Sequence, residues 1–194
     1  MIAIVDYGVG NLRSVENALK RLDAEYLLTD NPEIIRTASK VILPGVGNVA
    51  EAMFKLREKG LVEPIRNRRR PLLGICVGMQ VLCRHSEEGD TDCIGLFDTD
   101  VTKFSEEPGL KVPHMGWNRI NNLSSKLFKN ISEGAYVYFV HSYRPQICRD
   151  TVATTDYGGL FSCALKYENF YGTQFHPEKS GDVGEEIIRN FLAL

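Results

Sequence analysis

The strongest constraint on the fold is an alternation, in the first half of the chain, of short apolar segments with segments of helical periodicity. Leu12, Val15 and Leu19, for example, recur at the spacing that places side chains on one face of a helix. Strands are predicted at residues 1–5, 25–29, 41–43 and 72–75, and helices over 12–22, from Asn31-Pro32-Glu33, over 50–59 and over 77–85. Apolar strands that alternate with helices are typical of a parallel sheet covered on both faces.

The second half of the chain has a different pattern, in which short β segments are separated by turns rich in Gly, Pro and Asp. These segments lie at residues 101–104, 135–140, 151–155, 163–167 and 171–175, and a helix over 183–194 closes the chain. We therefore predict an α/β fold of the flavodoxin-like, doubly wound type. Its sheet is mostly parallel with helices on both faces, and an antiparallel β extension forms the C-terminal half. Since neither a linker nor an internal repeat interrupts the 194 residues, a single domain over 1–194 is predicted.

Composition excludes several classes of protein. The net charge of −2 argues against a broad nucleic-acid-binding face, and the basic run at residues 66–70 is interpreted as a solvated loop or a contact patch. The sequence holds no apolar stretch of about 18 residues, and its first residues lack the features of a signal peptide. The five cysteines are scattered without a Cys-x-x-Cys pair, which argues against a disulfide framework or a zinc ribbon. A cytoplasmic protein with mostly free thiols is expected, and one of these thiols is a candidate nucleophile.

A first candidate site lies near the N-terminus, where Gly8-Val9-Gly10 follows a strand and Asp30 ends the next one. This arrangement imitates a dinucleotide-binding fingerprint, but Arg13 stands where the third glycine would allow close packing of helix on strand. A tight turn that leads into the first helix is the favoured interpretation.

The second candidate site is Gly74-Ile75-Cys76-Val77-Gly78-Met79-Gln80, where a strand turns sharply into a helix. Glycines two residues on either side of Cys76 relieve the crowding that a strained nucleophile turn creates. The turn exposes the sulfur at the carboxyl end of the sheet, above backbone N–H groups that favour a thiolate. We interpret Cys76 as a nucleophile rather than as a buried core thiol.

A thiolate nucleophile needs a proton carrier, and the chain has four histidines. His176 is the favoured candidate, because Pro177 fixes a turn after it and so allows Glu178 to fold back onto the imidazole. His85 is expected to be exposed. His114 is open between packing and a substrate or partner contact, and His141 is open between a strand-end role and a site role.

Two motifs resemble those of the triad glutamine amidotransferases: Gly-x-Cys-x-Gly-x-Gln at 74–80 and Gln-Phe-His-Pro-Glu at 174–178. Further motifs make the chain similar to one subfamily, the glutaminase subunits of imidazole glycerol phosphate synthases in histidine biosynthesis. They lie at residues 6–11, 43–47, 114–118, 138–143 and 174–180. The matches follow the family's order along nearly the whole chain, and no triad position departs from the pattern.

The resemblance implies that Cys76 attacks the side-chain amide of glutamine, that His176 moves protons and that Glu178 orients His176. Its implied oxyanion hole is formed by the N–H groups of Val46, Gly47 and Val77. The residues implied to line the glutamine pocket are Gly47, Gln80, His141, Ser142 and Tyr143. It implies neither a cofactor nor a metal.

The resemblance also implies a partner, a separate cyclase subunit with a (β/α)8-barrel fold that forms a heterodimer with this chain. Ammonia passes to that subunit, which makes imidazole glycerol phosphate and aminoimidazole carboxamide ribonucleotide. The implied partner-facing residues are Asn11, Met115, Trp117 and Lys179. For Trp117 a core position stays open, since a lone tryptophan is usually buried. No nucleic-acid or membrane partner is expected.

Three alternatives stay open on the sequence. One is a glutaminase paralogue that supplies another acceptor enzyme, such as a sugar-modifying amidotransferase. Another is a cysteine hydrolase or peptidase of the same fold, although that activity requires neither Glu178 nor the loop at 44–47. The third is a nucleotide-binding module built on the turn at 8–10.

Overall fold

The computed structural model describes residues 1–105 and 108–194, and a seven-stranded sheet forms its centre. The strands of this sheet are β1 (Ile2–Val5), β2 (Tyr26–Thr29), β3 (Lys40–Gly45), β4 (Leu72–Cys76), β11 (Thr151–Asp156), β12 (Leu160–Tyr167) and β13 (Phe170–Thr173). The remaining strands are β5 (His85–Ser86), β6 (Thr91–Asp92), β7 (Asp100–Lys103), β8 (His114–Ile120), β9 (Ala135–His141) and β10 (Tyr143–Pro145). The helices are α1 (Leu12–Arg21), α2 (Pro32–Thr37), α3 (Val49–Glu58), α4 (Val62–Arg66), α5 (Val77–Gln80) and α6 (Gly181–Leu192).

The parallel part of the central sheet has the order β2–β1–β3–β4–β13, and β12 and β11 extend it in antiparallel orientation. This is the flavodoxin-type strand order, so the predicted doubly wound fold with an antiparallel extension is confirmed. Right-handed crossovers place α1 on one face and α2 to α4 on the other, because the chain reverses direction across the sheet after β2. The contacts agree, since α1 touches α6 while α2 touches α4.

Two smaller sheets lie beside the central one. Strands β10, β7, β5 and β6 form the first, and the β8–β9 hairpin forms the second. The sequence analysis did not predict β8, because its polar residues face inward and its large apolar residues face outward. His114 is buried, whereas Met115 and Trp117 are 63% and 55% exposed. The core interpretation of Trp117 is therefore wrong.

Two predicted elements end early. The helix predicted over 77–85 stops at Gln80, because the carbonyls of residues 81–83 accept hydrogen bonds from the backbone of residues 94–97 instead of from a continuing helix. Likewise β13 stops at Thr173, and the N–H of His176 donates to the carbonyl of Tyr138 on β9 at 2.9 Å. In both places a tertiary hydrogen bond replaces the local pattern.

The basic run at residues 66–70 is structural, so its interpretation as a solvated loop or contact patch is wrong for Arg68. This side chain is only 2% exposed. Its guanidinium donates to the carbonyls of Ile35 and Ala38, which lie at the end of α2, and to that of Pro71. Buried carbonyls need donors, and Arg68 supplies several from one planar group. Arg69, next in the run, is exposed.

Replacing Arg68 by Ala should lower the free energy of unfolding by about 2–4 kcal/mol, because buried carbonyls then lose their donors. The matched control is Arg69→Ala, for which we expect a change within about 0.5 kcal/mol. Urea denaturation followed by circular dichroism measures both. Equal stability of the two variants would contradict the structural role of Arg68.

Candidate active site

Cys76 ends β4 and occupies a backbone conformation that side chains rarely adopt, with φ of 55° and ψ of −113°. Such strain costs about 1–3 kcal/mol and persists only where the surroundings enforce it. The flanking glycines allow it: a Cβ on Gly74 would lie 2.5 Å from the carbonyl oxygen of Gly78, and one on Gly78 would overlap the carbonyl oxygen of Leu43. The chain therefore turns sharply at Cys76, as predicted. Helix α5 spans only Val77–Gln80, so the backbone N–H groups that this helix contributes beside the sulfur come from a single turn.

His176 and Glu178 lie together as the sequence analysis placed them, on a 3₁₀ turn at Pro177–Lys179. His176 Nδ1 is 2.7 Å from Glu178 Oε1, and their side chains are 1% and 2% exposed. The Ser180 hydroxyl stabilises this turn, because it donates to the His176 carbonyl at 2.6 Å and accepts from the Tyr138 N–H at 2.9 Å. The imidazole is thus held by its own backbone and by a carboxylate.

The charges around His176 keep it protonated. Burial by itself lowers the pKa of His176, but its electrostatic and hydrogen-bond interactions with Cys76 and with Glu178 outweigh burial and raise that pKa to about 10. Within the described part of the chain, His176 Nε2 is buried and has no hydrogen-bond partner. An imidazolium whose Nδ1 meets Glu178 and which interacts with Cys76 is arranged to give its Nε2 proton to a group bound at that sulfur.

Cys76 is only 4% exposed, so the expectation of an exposed sulfur is wrong, but the residue lines a cavity of about 270 Å³, which is close to the size of a small-molecule site. Its wall includes the following residues named in the sequence analysis: Val46, Gly47, Cys76, Val77, Gln80, His141, Ser142, Tyr143 and His176. The structure therefore brings together every predicted pocket and oxyanion residue. Glu178 does not line the cavity, because it lies behind His176 and meets only its Nδ1 side.

Sequence reasoning missed Glu88, Pro113 and Val140 in the wall of this cavity. Among the described residues that line the cavity, Glu88 is the one with a carboxyl group. Its Oε2 accepts a hydrogen bond from the Val49 N–H at 2.8 Å. Burial raises the pKa of Glu88. Nothing in its local sequence, Ser86-Glu87-Glu88-Gly89, distinguishes it from a surface carboxylate. Its contact with the start of α3 places it beside the cavity.

His114 and His141 form a buried pair, with His114 Nδ1 3.0 Å from His141 Nε2. His141 Nδ1 donates to the Tyr143 carbonyl at 2.8 Å, and His114 stacks on Tyr157 with ring centroids 3.9 Å apart. Burial lowers the pKa of His114 to about 4 and that of His141 to about 3, so both rings are neutral at pH 7. His141 therefore combines the two roles left open for it, and His114 packs behind it.

The loop that carries Val46 and Gly47 follows β3 and meets the elbow directly. Gly45 pairs with Cys76 in the sheet, and a Cβ on Gly45 would overlap the backbone nitrogen of Gly78. Gly47 has φ of 85°, a conformation that favours glycine. Tyr7, fully buried, donates its hydroxyl to the Pro44 carbonyl at 2.9 Å and so anchors the start of this loop.

The predicted partner-facing residues are accessible and lie on neighbouring elements. Met115 and Trp117 project from β8, Lys179 is exposed on the turn after His176, and Asn11 precedes α1. That turn contacts both β9 and α1, which connects these elements in one continuous region.

Other sequence candidates lie apart from the cavity. Asp30, which completes the imitation of a dinucleotide fingerprint, is paired with Lys59 at 2.6 Å. His85 lies 3.2 Å from Asp90 and from Asp92. Among the described residues, no group of three or more His, Cys, Asp or Glu side chains is placed to hold a metal ion. Over the same residues, no helix has both the length and the apolar character needed to cross a membrane.

An elbow cysteine, a buried His–Glu pair and a shared cavity on this fold define a class of protein, and comparison with known families gives the same class. The family model for glutamine amidotransferase class-I matches residues 3–194. The chain belongs to the class-I glutamine amidotransferases. A crystal structure of a glutamine amidotransferase, 18% identical, has the same fold with a TM-score of 0.77 over 100% of this chain and 98% of that one.

Relatives place the chain more narrowly. Imidazole glycerol phosphate synthase subunit HisH of Bacteroides thetaiotaomicron is 53% identical over 194 residues, which cover 100% of this chain and 99% of that protein. The subunit HisH of Xanthomonas campestris pv. campestris strain 8004 is 45% identical over 100% of this chain and 97% of that protein. Within the class, the chain belongs to the family of these HisH subunits.

The charge analysis predicts how His176 titrates. In the wild-type chain its imidazole should stay protonated up to about pH 10. In Cys76→Ala the pKa of His176 should fall, because Cys76 is the largest influence that raises it. Nuclear magnetic resonance of the imidazole Cε1–H measures both, and His141 is an internal control that should not titrate between about pH 5 and pH 9 in either protein, given its pKa of about 3. An unchanged His176 titration in Cys76→Ala would refute the proposed coupling.

Proposed function

We propose that this chain hydrolyses L-glutamine to glutamate and ammonia through a thioester on Cys76, and delivers the ammonia to a separate cyclase subunit. The cyclase, a (β/α)8 barrel, uses it to make imidazole glycerol phosphate and aminoimidazole carboxamide ribonucleotide in histidine biosynthesis. One observation supports the glutaminase half above all others: Cys76 and the unpartnered Nε2 of His176 face one cavity, with Glu178 on the other side of the imidazole. The names of the 53% and 45% identical relatives support the acceptor.

The chemistry follows from the protonation states. The Cys76 thiolate attacks the carboxamide carbon, and the oxyanion is held by N–H groups of Val46, Gly47 and Val77. The imidazolium of His176 gives its Nε2 proton to the departing nitrogen, so ammonia leaves and a thioester remains. Neutral His176 then takes a proton from water, whose oxygen attacks the thioester and releases glutamate and the thiolate. Each oxyanion donor is worth roughly 3–4 kcal/mol in enzymes where this was measured.

The cavity wall includes a carboxylate, which the α-ammonium group of a free amino acid can use. We assign Glu88 to the α-ammonium group of glutamine, since it is the acidic residue among the described lining residues. The Nε2–H of Gln80 donates a hydrogen bond to the Tyr143 carbonyl at 3.0 Å. The Oε1 of Gln80 is then left to accept a hydrogen bond from the substrate. Glu178 orients His176 and stabilises the imidazolium, as a buried carboxylate does in serine-protease triads.

The experiment that tests this function is Cys76→Ser in the complex with the cyclase. Synthesis from glutamine should be lost, while synthesis from added ammonium salt continues, because the nucleophile serves only to generate ammonia. Cys93→Ser is the matched control, since Cys93 is half-buried and outside the cavity wall, and it should retain both activities.

Other results separate the alternatives. Glutamate release that never supports the cyclase would indicate a different acceptor enzyme. Turnover of esters or peptides in place of glutamine would indicate a cysteine hydrolase. Loss of both nitrogen sources in Cys76→Ser would contradict the division of labour between the subunits.

The exposed face of the β8–β9 hairpin is the proposed docking surface for the cyclase. Met115 and Trp117 on β8 and Tyr136 on β9 are 63%, 55% and 49% exposed. Trp117 lies directly opposite Tyr138 in the hairpin register, with ring centroids 6.1 Å apart. Large aromatic side chains at the centre of an interface provide much of its binding energy.

Trp117→Ala should therefore weaken binding of the cyclase by about 2 kcal/mol or more, which is roughly a 30-fold increase in Kd. Phe54→Ala is the control, because Phe54 is 61% exposed but lies on α3. Isothermal titration calorimetry with purified cyclase measures both. If the two variants bind equally well, the hairpin is not the docking surface.

A further inference from the structure

Gln174 touches the nucleophile from outside the cavity. It follows β13 directly, it is fully buried, and it is not among the residues that line the cavity. Its Nε2 lies 3.6 Å from Cys76 Sγ, and its Oε1 lies 2.8 Å from Gln80 Nε2. One side-chain amide thus connects the sulfur that reacts with a residue in the wall of the substrate cavity.

The direction of these hydrogen bonds is determined by the Tyr143 carbonyl, which can only accept. Gln80 Nε2 is 3.0 Å from that oxygen, so Gln80 presents its NH₂ group there. The same NH₂ group meets Gln174, which must therefore present its oxygen to Gln80. The NH₂ group of Gln174 is then the one that faces Cys76 Sγ. Flipping either amide would set two donors or two acceptors against each other.

The Tyr143 carbonyl is itself held from a second side. His141 Nδ1 donates to it at 2.8 Å, and His141 Nε2 in turn accepts from His114 Nδ1 at 3.0 Å. Both acceptor positions of the Tyr143 carbonyl are used, one by Gln80 and one by His141, so no position is left for a further donor. The orientation of Gln174 is consequently set by groups that belong to neither the substrate nor the His176–Glu178 pair.

We propose that Gln174 is a positioning residue for Cys76. Its N–H stabilises the thiolate and directs the sulfur, while its Oε1 keeps the Gln80 amide turned so that the Gln80 oxygen is available to the cavity. A hydrogen bond to an ionised sulfur is stronger than one to a neutral thiol, so the contact favours the form that attacks. This inference rests on the proposed function, because it assigns a role within the same reaction.

The test is the pH dependence of Cys76 alkylation by iodoacetamide, since the rate follows the fraction of thiolate. Mass spectrometry of the peptide that contains Cys76 separates it from the other thiols. The alkylation rate rises with pH, and the pH at the midpoint of this rise is called the alkylation inflection. In Gln174→Met, which keeps the length but lacks the donor, the alkylation inflection should lie about one pH unit higher than in the wild type. Thr173→Val is the matched control, because the Thr173 hydroxyl is buried without a partner among the described residues, and its inflection should equal that of the wild type.

A second variant separates the two contacts of Gln174. Gln174→Glu still accepts from Gln80 but removes the donor to Cys76, so its alkylation inflection should move up at least as far. In steady-state assays with the cyclase present, its kcat should fall about tenfold with KM for glutamine near the wild-type value. Gln174→Met should lower kcat and also raise KM, because it leaves Gln80 unsupported. An unchanged inflection in both folded variants overturns the proposal.

A measurement on the wild-type chain covers the case in which these variants do not fold. In ¹⁵N-labelled protein, the side-chain NH₂ resonance of Gln174 should shift with the same inflection as Cys76 alkylation, and should not shift over that range in Cys76→Ala. If the Gln174 side-chain resonance does not shift as Cys76 ionises, the proposal is overturned. Alkylation and resonance measurements use neither glutamine nor the cyclase, so their outcome stays distinct from a failure of the proposed function.

Discussion

The close approach of the first turn of α5 to the ends of β3 and β4 is the contact on which the whole site depends. Gly45, Gly74 and Gly78 leave no room for a Cβ at this junction. Because the backbones meet directly, Cys76 is forced into its rare conformation and its sulfur is turned out of the sheet. The loop that carries Val46 and Gly47, the cavity and the amide of Gln174 all lie around that one sulfur. A side chain at any of these glycines would separate the elements that carry them.

The electrostatics of the site show how one residue type is given opposite properties by its surroundings. His176 is buried against Glu178 and Cys76, which raise its pKa to about 10. His141 is equally buried but meets a backbone carbonyl and a neutral ring, and burial lowers its pKa to about 3. One histidine is therefore a proton source at pH 7 and the other a fixed neutral part of the wall. Such divergence is typical of sites where acid–base roles are divided.

The sequence allowed the fold and most of the site to be predicted because their signals are local. The parallel sheet follows from alternating apolar and helical segments, and the elbow follows from the glycines around Cys76. The turn of His176 follows from Pro177. Glu88 and Gln174 could not be found this way, because each reaches the site through a contact with a distant segment.

The predictions that were wrong also failed because contacts with other parts of the chain, and not the local pattern, determine the structure there. The predicted helix over 77–85 was cut short by hydrogen bonds from residues 94–97, which are not encoded in its own periodicity. Arg68 looked like a surface cation within a basic run, but the carbonyls at the end of α2 bind it in the interior. Strand β8 was not predicted because Met115 and Trp117 face outward, whereas the large apolar residues of a strand usually face the core.

The β8–β9 hairpin connects the exposed surface to the turn that carries His176. Tyr138, on the strand opposite Trp117, holds both ends of the turn that carries His176 and Glu178: its carbonyl accepts from the His176 N–H, and its N–H donates to Ser180. The sulfur, by contrast, is mounted on β4 in the central sheet. One strand of the hairpin thus carries the exposed Trp117, and the other strand hydrogen-bonds the turn that positions the imidazole. Any contact made on the exposed face of the hairpin is therefore linked through the two hydrogen bonds of Tyr138 to the turn that carries the imidazole, whereas the sulfur is positioned independently by the central sheet.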